Sequence, residues 1–116
     1  MDRPEDSSET IAEALRESEE KYRKLFEASL DAIFLETVDG LVLDCNDVAC
    51  RMYGYERDEL VGMSVRDLVP PEFRERLPRI IEEHQKSEGI FIEAENVRKD
   101  GSAFPAEVNT RRVELG

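Results

Sequence analysis

The sequence Arg98-Lys99-Asp100-Gly101-Ser102 decides the fold, because it joins two runs of residues that are typical of β-strands, 90–98 and 102–113. Glycine adopts a positive φ at little steric cost, so an Asp-Gly pair between two such runs predicts a tight β-hairpin. The two runs should therefore form neighbouring antiparallel strands, and the pairing between them should determine which side chains face the core.

The register of this hairpin follows from the length of its loop. A two-residue loop would set Glu93 and Glu95 against the apolar side of the second run, whereas a three-residue loop with Gly101 in the left-handed conformation shifts the pairing by one residue. Such a shift moves every side chain to the other face, so burial selects the three-residue loop. Its cost is Glu93 opposite Glu107, about 0.2–1 kcal/mol, against roughly 1.5–3 kcal/mol gained for each large apolar side chain buried. The inner face then carries Ile92 with Val108, Ala94 with Ala106, and Asn96 with Phe104.

The composition predicts a single acidic domain. The chain has 116 residues and a formal net charge of −12, which argues against nucleic acid or an anionic membrane surface as a partner. No apolar run is long enough to span a bilayer and no signal segment opens the chain, so we expect a cytoplasmic domain without membrane insertion. Cys45 and Cys50 are too few for a zinc or disulfide framework, so no metal site is expected.

The amino-terminal part of the chain predicts a helix with a narrow apolar stripe. Residues 1–9 are expected to be frayed, and Thr10 followed by Glu13 is a capping-box pattern that opens a helix extending to residue 28. The stripe residues recur at spacings of four and three, as in a coiled coil: Ile11, Leu15, Ser18, Tyr22 and Leu25. The stripe either packs on its own domain or pairs with another copy, in which case Ile11, Leu15, Tyr22 and Leu25 form the dimer interface. We therefore divide the chain into a tail and amphipathic helix, 1–28, and a folded core, 29–116.

Between this helix and the hairpin, short strands and short helices follow one another. Strands are predicted at 32–37 and 41–45, and helical segments at 47–53, 57–61, 64–68 and 72–87. Asn46 and Ser64 are predicted helix caps, and Pro78 should kink or restart the last helix, because its ring cannot donate a hydrogen bond. Strands on both sides of a helical middle predict an α+β fold, an antiparallel sheet with helices on one face.

A series of short motifs carries a resemblance to a known family. In chain order they are Glu20-Lys21-Tyr22-Arg23-Lys24-Leu25-Phe26-Glu27, Asp31-Ala32-Ile33, Asp39-Gly40, Asn46, Tyr53-Gly54-Tyr55, Glu59-Leu60-Val61-Gly62 and the hairpin loop. Together they resemble the PAS (Per-Arnt-Sim) sensor family over residues 20–113. The resemblance implies an antiparallel sheet of strand order 2-1-5-4-3 around a small cavity. It also implies sensing or docking in signal transduction, usually beside a histidine kinase of a two-component system, a cyclase or a transcription module.

The resemblance also implies a strand that this sequence lacks. In the family, the fifth strand follows the hairpin and lies between the first strand and the last hairpin strand, and the sequence stops before it. Residues 32–37 and 104–113 would then each leave a row of backbone groups unpaired, and a buried unpaired group costs about 1–3 kcal/mol. We expect these two runs to pair directly, or an element of another copy to fill the gap; the alternative is a domain that is cut short.

Two positions bear on the cofactor that the resemblance would imply. In the flavin-binding branch of the family, the reactive cysteine follows the position of Gly62, where this chain has Val65, so covalent flavin photochemistry is disfavoured. In the haem-binding branch, the axial histidine lies early in the long helix, whereas the sole histidine here, His84, falls near the helix end. Haem ligation is therefore disfavoured as well, and the cofactor stays unknown.

Two hypotheses for function follow from these features. The first is a small-molecule sensor whose cavity is lined by inward-facing side chains, with Asn96 orienting the ligand. The cavity candidates are Ile33, Leu35, Met52, Leu60, Leu68, Ile80, Ile92, Ala94, Asn96, Phe104 and Ala106. The alternative for these residues is a solid core in which Asn96 bonds the backbone or Cys50. The second hypothesis is a ligand-free dimerisation and relay module, which rests on the helix stripe and on Phe91 and Val113 on the outer face of the sheet.

Catalysis within this chain is a third hypothesis, and we do not expect it. Asp31, Asp44 and Asp47 are carboxylates near turns, but the single histidine lies in no nucleophile–base pattern. An enzymatic activity would belong to an effector domain of a longer protein, such as a histidine kinase.

Overall fold

The computed structural model describes residues 4–86 and 89–111, with side chains from residue 10 onwards except at 84, 85 and 90. Its helices are α1 Pro4–Ala28, α2 Asp47–Tyr53, α3 Arg57–Leu60, α4 Pro71–Arg74 and α5 Leu77–Lys86, with a 3₁₀ turn at Val65–Leu68. Its strands are β1 Phe34–Glu36, β2 Val42–Cys45, β3 Gly89–Val97 and β4 Ala103–Arg111. This order is the predicted α+β order. No helix in the described ranges is both long and apolar enough to cross a membrane.

The predicted register of the carboxy-terminal hairpin is confirmed. Strands β3 and β4 are antiparallel, and Ile92 lies opposite Val108, Ala94 opposite Ala106 and Asn96 opposite Phe104. The loop is closed by the Arg98 N–H, which donates to the Ser102 carbonyl at 2.8 Å, and Gly101 has φ +88°. Glu93 also faces Glu107, so burial on one face outweighs the like-charge pair on the other.

The start of the first helix differs from the prediction. Helix α1 begins at Pro4, so the expectation of a frayed segment at 1–9 is wrong for residues 4–9, and Thr10 lies inside the helix instead of capping it. Proline is favoured in the first turn because its φ suits the helix and its missing N–H has no partner there.

Three local predictions in the middle of the chain are confirmed. The Asn46 side chain accepts from the Ala49 N–H at 3.0 Å and caps α2, and Ser64 caps the 3₁₀ turn. The helix predicted at 72–87 is restarted: α4 ends at Arg74, and α5 begins at Leu77, with Pro78 in its first turn. A proline is tolerated there because first-turn N–H groups have no helical partner.

The strands form two separate two-stranded sheets, β1 with β2 and β3 with β4. Of the two alternatives expected for the gap, direct pairing of residues 32–37 with 104–113 is therefore wrong for the part of both runs that the structure describes, and an element of another copy in the gap stays a prediction. The aromatic core gives the physical reason. The Tyr53 ring makes edge-to-face contacts with Phe34 on β1 and Phe104 on β4, with ring centroids 5.2 and 5.1 Å apart. A side chain of α2 thus joins the two hairpins where backbone hydrogen bonds were expected.

Candidate functional site

A buried carboxylate holds the end of helix α1 against the folded core. Asp44 on β2 is 8% exposed, and its Oδ2 accepts from the Tyr22 hydroxyl at 2.9 Å and from Arg23 at 3.1 Å. Its Oδ1 accepts from Arg57 Nε at 3.0 Å, from Arg57 Nη2, and from the Cys45 N–H at 2.9 Å. We call Asp44, Tyr22, Arg23 and Arg57 the Asp44 clamp, because together they join α1, β2 and α3.

The charges of the Asp44 clamp are mutually stabilised. Burial alone would raise the pKa of Asp44, but hydrogen bonds from Arg57, Tyr22, the Cys45 N–H and Arg23 outweigh it, and the net pKa is lowered. The bond to Asp44 in turn raises the pKa of Arg57. Burial and the Asp44 hydrogen bond raise the pKa of Tyr22. At neutral pH the clamp therefore joins an ionised carboxylate to two cations and a neutral phenol.

Asn46 provides a second connection to the same helix. It is fully buried, and its Nδ2 donates to the carbonyls of Phe26 at 3.0 Å and Asp31 at 2.9 Å. Its Oδ1 accepts from the N–H groups of Ile33 and Ala49. Asn46 therefore caps α2, as predicted, and also fixes the chain that follows α1. This second role depends on contacts with residues 13 to 20 positions away, and local sequence patterns do not reveal such contacts.

The apolar stripe of α1 lies at the surface. Its predicted interface residues are exposed by 61% at Ile11, 66% at Leu15, 38% at Tyr22 and 76% at Leu25. Phe26, one position beyond Leu25, is buried, and its ring stacks on the Tyr22 ring with centroids 5.1 Å apart. The base of the helix is thus packed on the core, while the remaining stripe is uncovered by any residue that the structure describes; pairing with another copy stays a prediction.

The predicted cavity residues divide into three groups. Leu60, Leu68, Asn96 and Phe104 are buried, and Ala106 packs against the same core. Ile33, Leu35, Ile80, Ile92 and Ala94 are half-buried. Met52 is 39% exposed at the surface. That these residues line a ligand cavity stays a prediction.

Sequence reasoning missed two polar groups of the core, Tyr53 and Glu36. The Tyr53 hydroxyl donates to Asn96 Oδ1 at 2.8 Å, and Asn96 Nδ2 donates to the Ala94 carbonyl at 3.5 Å. The backbone contact considered for Asn96 is therefore present, and the bond with Tyr53 is the contact that was missed. Glu36 pairs with the buried Val42, and because paired residues share a face, its side chain lies on the inner side of β1. Burial raises the pKa of Glu36 to about 7, and burial and the charge of Glu36 raise that of Tyr53 to about 12. An acidic residue in an otherwise apolar strand was the available signal for Glu36.

The structure places Val65 and His84, the two residues considered for cofactor attachment, as follows. Val65 lies against the β1–β2 turn, where a Cβ placed on Gly40 would come within 2.7 Å of Val65 Cγ2. His84 lies two residues before the end of α5.

Among the described residues, no group of three histidine, cysteine, aspartate or glutamate side chains could hold a metal ion. Phe91 is exposed on β3, and Val113 lies outside the described residues.

Comparison with known proteins identifies the family. The PAS domain family matches residues 30–116. A methyl sulfide methyltransferase-associated sensor of Methanosarcina acetivorans is 33% identical over 90% of this chain and 11% of its own length. The hybrid signal transduction protein dokA of Dictyostelium discoideum is 28% identical over 92% of this chain and 7% of its own length. The crystal structure of a PAS domain of an HTR-like protein from Haloarcula marismortui has a TM-score of 0.79 at 26% identity, covering 92% of this chain and 88% of that one.

The chain belongs to the PAS domain family. It is a sensory domain of the kind found in signalling proteins, and it spans about a tenth of the length of the curated relatives named above.

Proposed function

We propose that this PAS domain relays a signal through pairing of its α1 stripe with the same stripe of a second copy, and that the Asp44 clamp couples the stripe to the core. The observation that carries the proposal is the exposed heptad-spaced stripe on a helix whose base is fixed by buried polar contacts. The effector that receives the signal would be a further domain of a longer protein, for instance a histidine kinase or a cyclase.

The shape of the chain supports a second copy as the occupant of the stripe. Helix α1 has 25 residues, and the longest dimension of the domain is 63 Å against 31 and 22 Å for the others. The radius of gyration is 17.5 Å, where a compact chain of this length would have about 13 Å. The stripe thus extends beyond the reach of its own core, and coiled-coil spacing suits an identical helix.

The low net charge of the part of α1 that carries the stripe is compatible with pairing. Residues 10–28 carry five glutamates and four lysines or arginines, a net charge of −1, whereas the whole chain carries −12. Two copies that meet along residues 10–28 therefore bring together a segment of low net charge, and the three acidic residues at 4–9 give α1 as a whole a net charge of −4. Acidic residues of two paired copies that lie more than about 10 Å apart would repel each other little, because salt screens charges at that separation.

The proposal is tested by size-exclusion chromatography with light scattering on matched variants. Leu15→Asp removes a stripe side chain, and Arg16→Gln changes the adjacent position off the stripe; each lowers the net charge by one. Because burying one leucine contributes roughly 1.5–3 kcal/mol, Leu15→Asp should weaken self-association by more than about tenfold. Arg16→Gln should leave it unchanged. Equal association of the two variants would show that the stripe is not the contact.

Small-molecule sensing is the second candidate, and the inner polar groups favour it. Glu36 has no hydrogen-bond partner in the described part of the chain, and it lies near the bonded pair Tyr53 and Asn96. A ligand with a hydrogen-bond donor or a positive charge would satisfy that carboxyl group. The absorption spectrum and native mass of the purified chain would detect a retained ligand. Thermal melts with added metabolites would detect a weaker one, since a ligand at 100 times its Kd adds about 2.7 kcal/mol.

A further inference from the structure

We propose that Cys45 and Cys50 form a reversible intramolecular disulfide when a hydroperoxide oxidises the domain, and that this bond loosens the hold of the core on α1. The modification site rests only on the geometry of the two thiols. Its effect on pairing between copies rests in addition on the proposed function.

The two thiols lie in contact at the point where β2 passes into α2. Cys45 Sγ and Cys50 Sγ are 3.7 Å apart, and both residues are free cysteines. A disulfide requires a separation of about 2 Å, so the sulfur atoms must approach by less than the diameter of one atom. No other cysteine occurs in the chain, so an intramolecular bond has only one possible pairing.

The surroundings of the thiols assign them different roles. Cys45 is fully buried, and burial together with the neighbouring Cys50 thiol raises its pKa to about 12, so it stays protonated. Cys50 is half-buried and lines a surface depression of about 380 Å³, together with Asp47, Arg51, Gly54, Tyr55 and Glu56. A small oxidant therefore reaches Cys50 first, and Cys45 is the thiol that resolves the product.

The reaction balances with hydrogen peroxide as the oxidant. The Cys50 sulfur attacks one peroxide oxygen, the O–O bond breaks and one water leaves, so that Cys50 becomes a sulfenic acid. The Cys45 sulfur then attacks the Cys50 sulfur; the S–O bond breaks and the hydroxyl group departs with the Cys45 proton as a second water. Two thiols are oxidised by two electrons and one peroxide is reduced. A dithiol reverses the change by thiol–disulfide exchange.

The position of Cys45 in the chain connects this bond to helix α1. Cys45 lies between Asp44, which accepts from Tyr22 and Arg23, and Asn46, which donates to the Phe26 carbonyl. Its own N–H donates to Asp44 Oδ1 at 2.9 Å. Movement of Cys45 toward Cys50 is therefore transmitted to both residues that hold the helix. Because these hydrogen bonds are directional and buried or partly buried, a small displacement weakens them strongly.

The disulfide is tested by intact-mass measurement of the whole chain. The chain is treated with hydrogen peroxide, unfolded in denaturant with N-ethylmaleimide, and compared with a sample that is reduced before labelling. We expect oxidation to remove the mass of two hydrogens and to block both alkylations, and the dithiol to restore both. Cys45→Ala should leave a Cys50 sulfenic acid that dimedone traps, and Cys50→Ala should leave Cys45 unmodified at the same dose. Two alkylated thiols after oxidation, or a disulfide only between chains, would overturn the proposal.

The effect on the helix is tested by amide hydrogen exchange of residues 22–28 in the oxidised and reduced chain. Several-fold faster exchange in the oxidised chain supports the coupling, and equal exchange overturns it. The intact mass and the hydrogen exchange of residues 22–28 do not depend on self-association. A chain that does not pair therefore still gives a decisive result in both measurements. Cys45→Ala with Cys50→Ala is the control, and its exchange should not respond to peroxide.

Discussion

Replacement of Asp44 by asparagine tests how strongly the core holds helix α1. The substitution keeps the size of the side chain and removes its charge, while the carboxylate of the unaltered chain accepts five hydrogen bonds from Tyr22, Arg23, Arg57 and the Cys45 N–H. A hydrogen bond to a charged group contributes about 1.5–3 kcal/mol. The arginine side chains are 36% and 46% exposed, so solvent screening reduces their share. We expect a loss of about 2–4 kcal/mol in the free energy of unfolding, or roughly 10 °C in Tm.

The assay is urea unfolding at pH 7, with Asp39→Asn as the control. Asp39 is an exposed carboxylate in the β1–β2 turn, so the control removes the same charge without removing buried contacts. Tyr22→Phe should cost about 1 kcal/mol in the unaltered chain and less in Asp44→Asn, because the hydroxyl has then lost its charged acceptor. If Asp44→Asn were as stable as Asp39→Asn, the clamp would not hold the helix.

The pH dependence of stability tests the same group independently. The pKa of Asp44 is lower in the folded chain than its ordinary value of 3.8, so the folded state binds its proton less readily than the unfolded state. The contribution of Asp44 is therefore present above pH 3.8 and is lost as the pH falls through the lowered folded-state pKa. Asp44→Asn should flatten the stability curve in this acid range, and an unchanged curve would contradict the assignment.

Three further predictions concern the inner faces of the two hairpins and the β1–β2 turn. Glu36→Gln should stabilise the chain at pH 8 by about 2–3 kcal/mol and have little effect below pH 4.5. The pKa of Glu36 is about 7 in the folded chain and 4.5 ordinarily, so folding opposes its ionisation above pH 4.5; urea unfolding at several pH values measures the difference in stability. Asn96→Ala should cost about 1–3 kcal/mol by leaving the Tyr53 hydroxyl unpaired, and Tyr53→Phe should recover part of that loss in thermal melts. Gly40→Ala should cost more than about 1 kcal/mol, since φ is +90° and the added Cβ would meet Val65; a variant as stable as the parent would contradict the tight packing of this turn.

The hairpin register is predictable from the sequence because burial and loop geometry act on the same few residues. A slip by one position would place Glu93 and Glu95 on the apolar side, and no local interaction compensates that. The caps at Asn46 and Ser64 and the helix restart near Pro78 are also local, since each depends on backbone groups within a few positions.

The contacts that organise the candidate site are not local, and sequence reasoning missed them for that reason. Asp44 was considered only as a carboxylate near a turn, whereas its partners Tyr22 and Arg57 are 22 and 13 positions away. Tyr53 was noted only as part of a short motif, although its ring joins the two hairpins. In such cases the residue type indicates what a side chain can do, but only the fold determines which partner it meets.

Sedimentation equilibrium of the unaltered, reduced chain over a wide concentration range tests the central claim most directly. The account predicts that the average mass rises with concentration from 13.3 kDa toward twice that value, and that Leu15→Asp keeps it near 13.3 kDa. A mass that stays at 13.3 kDa at every concentration, or that rises equally in Leu15→Asp, would contradict pairing through the α1 stripe.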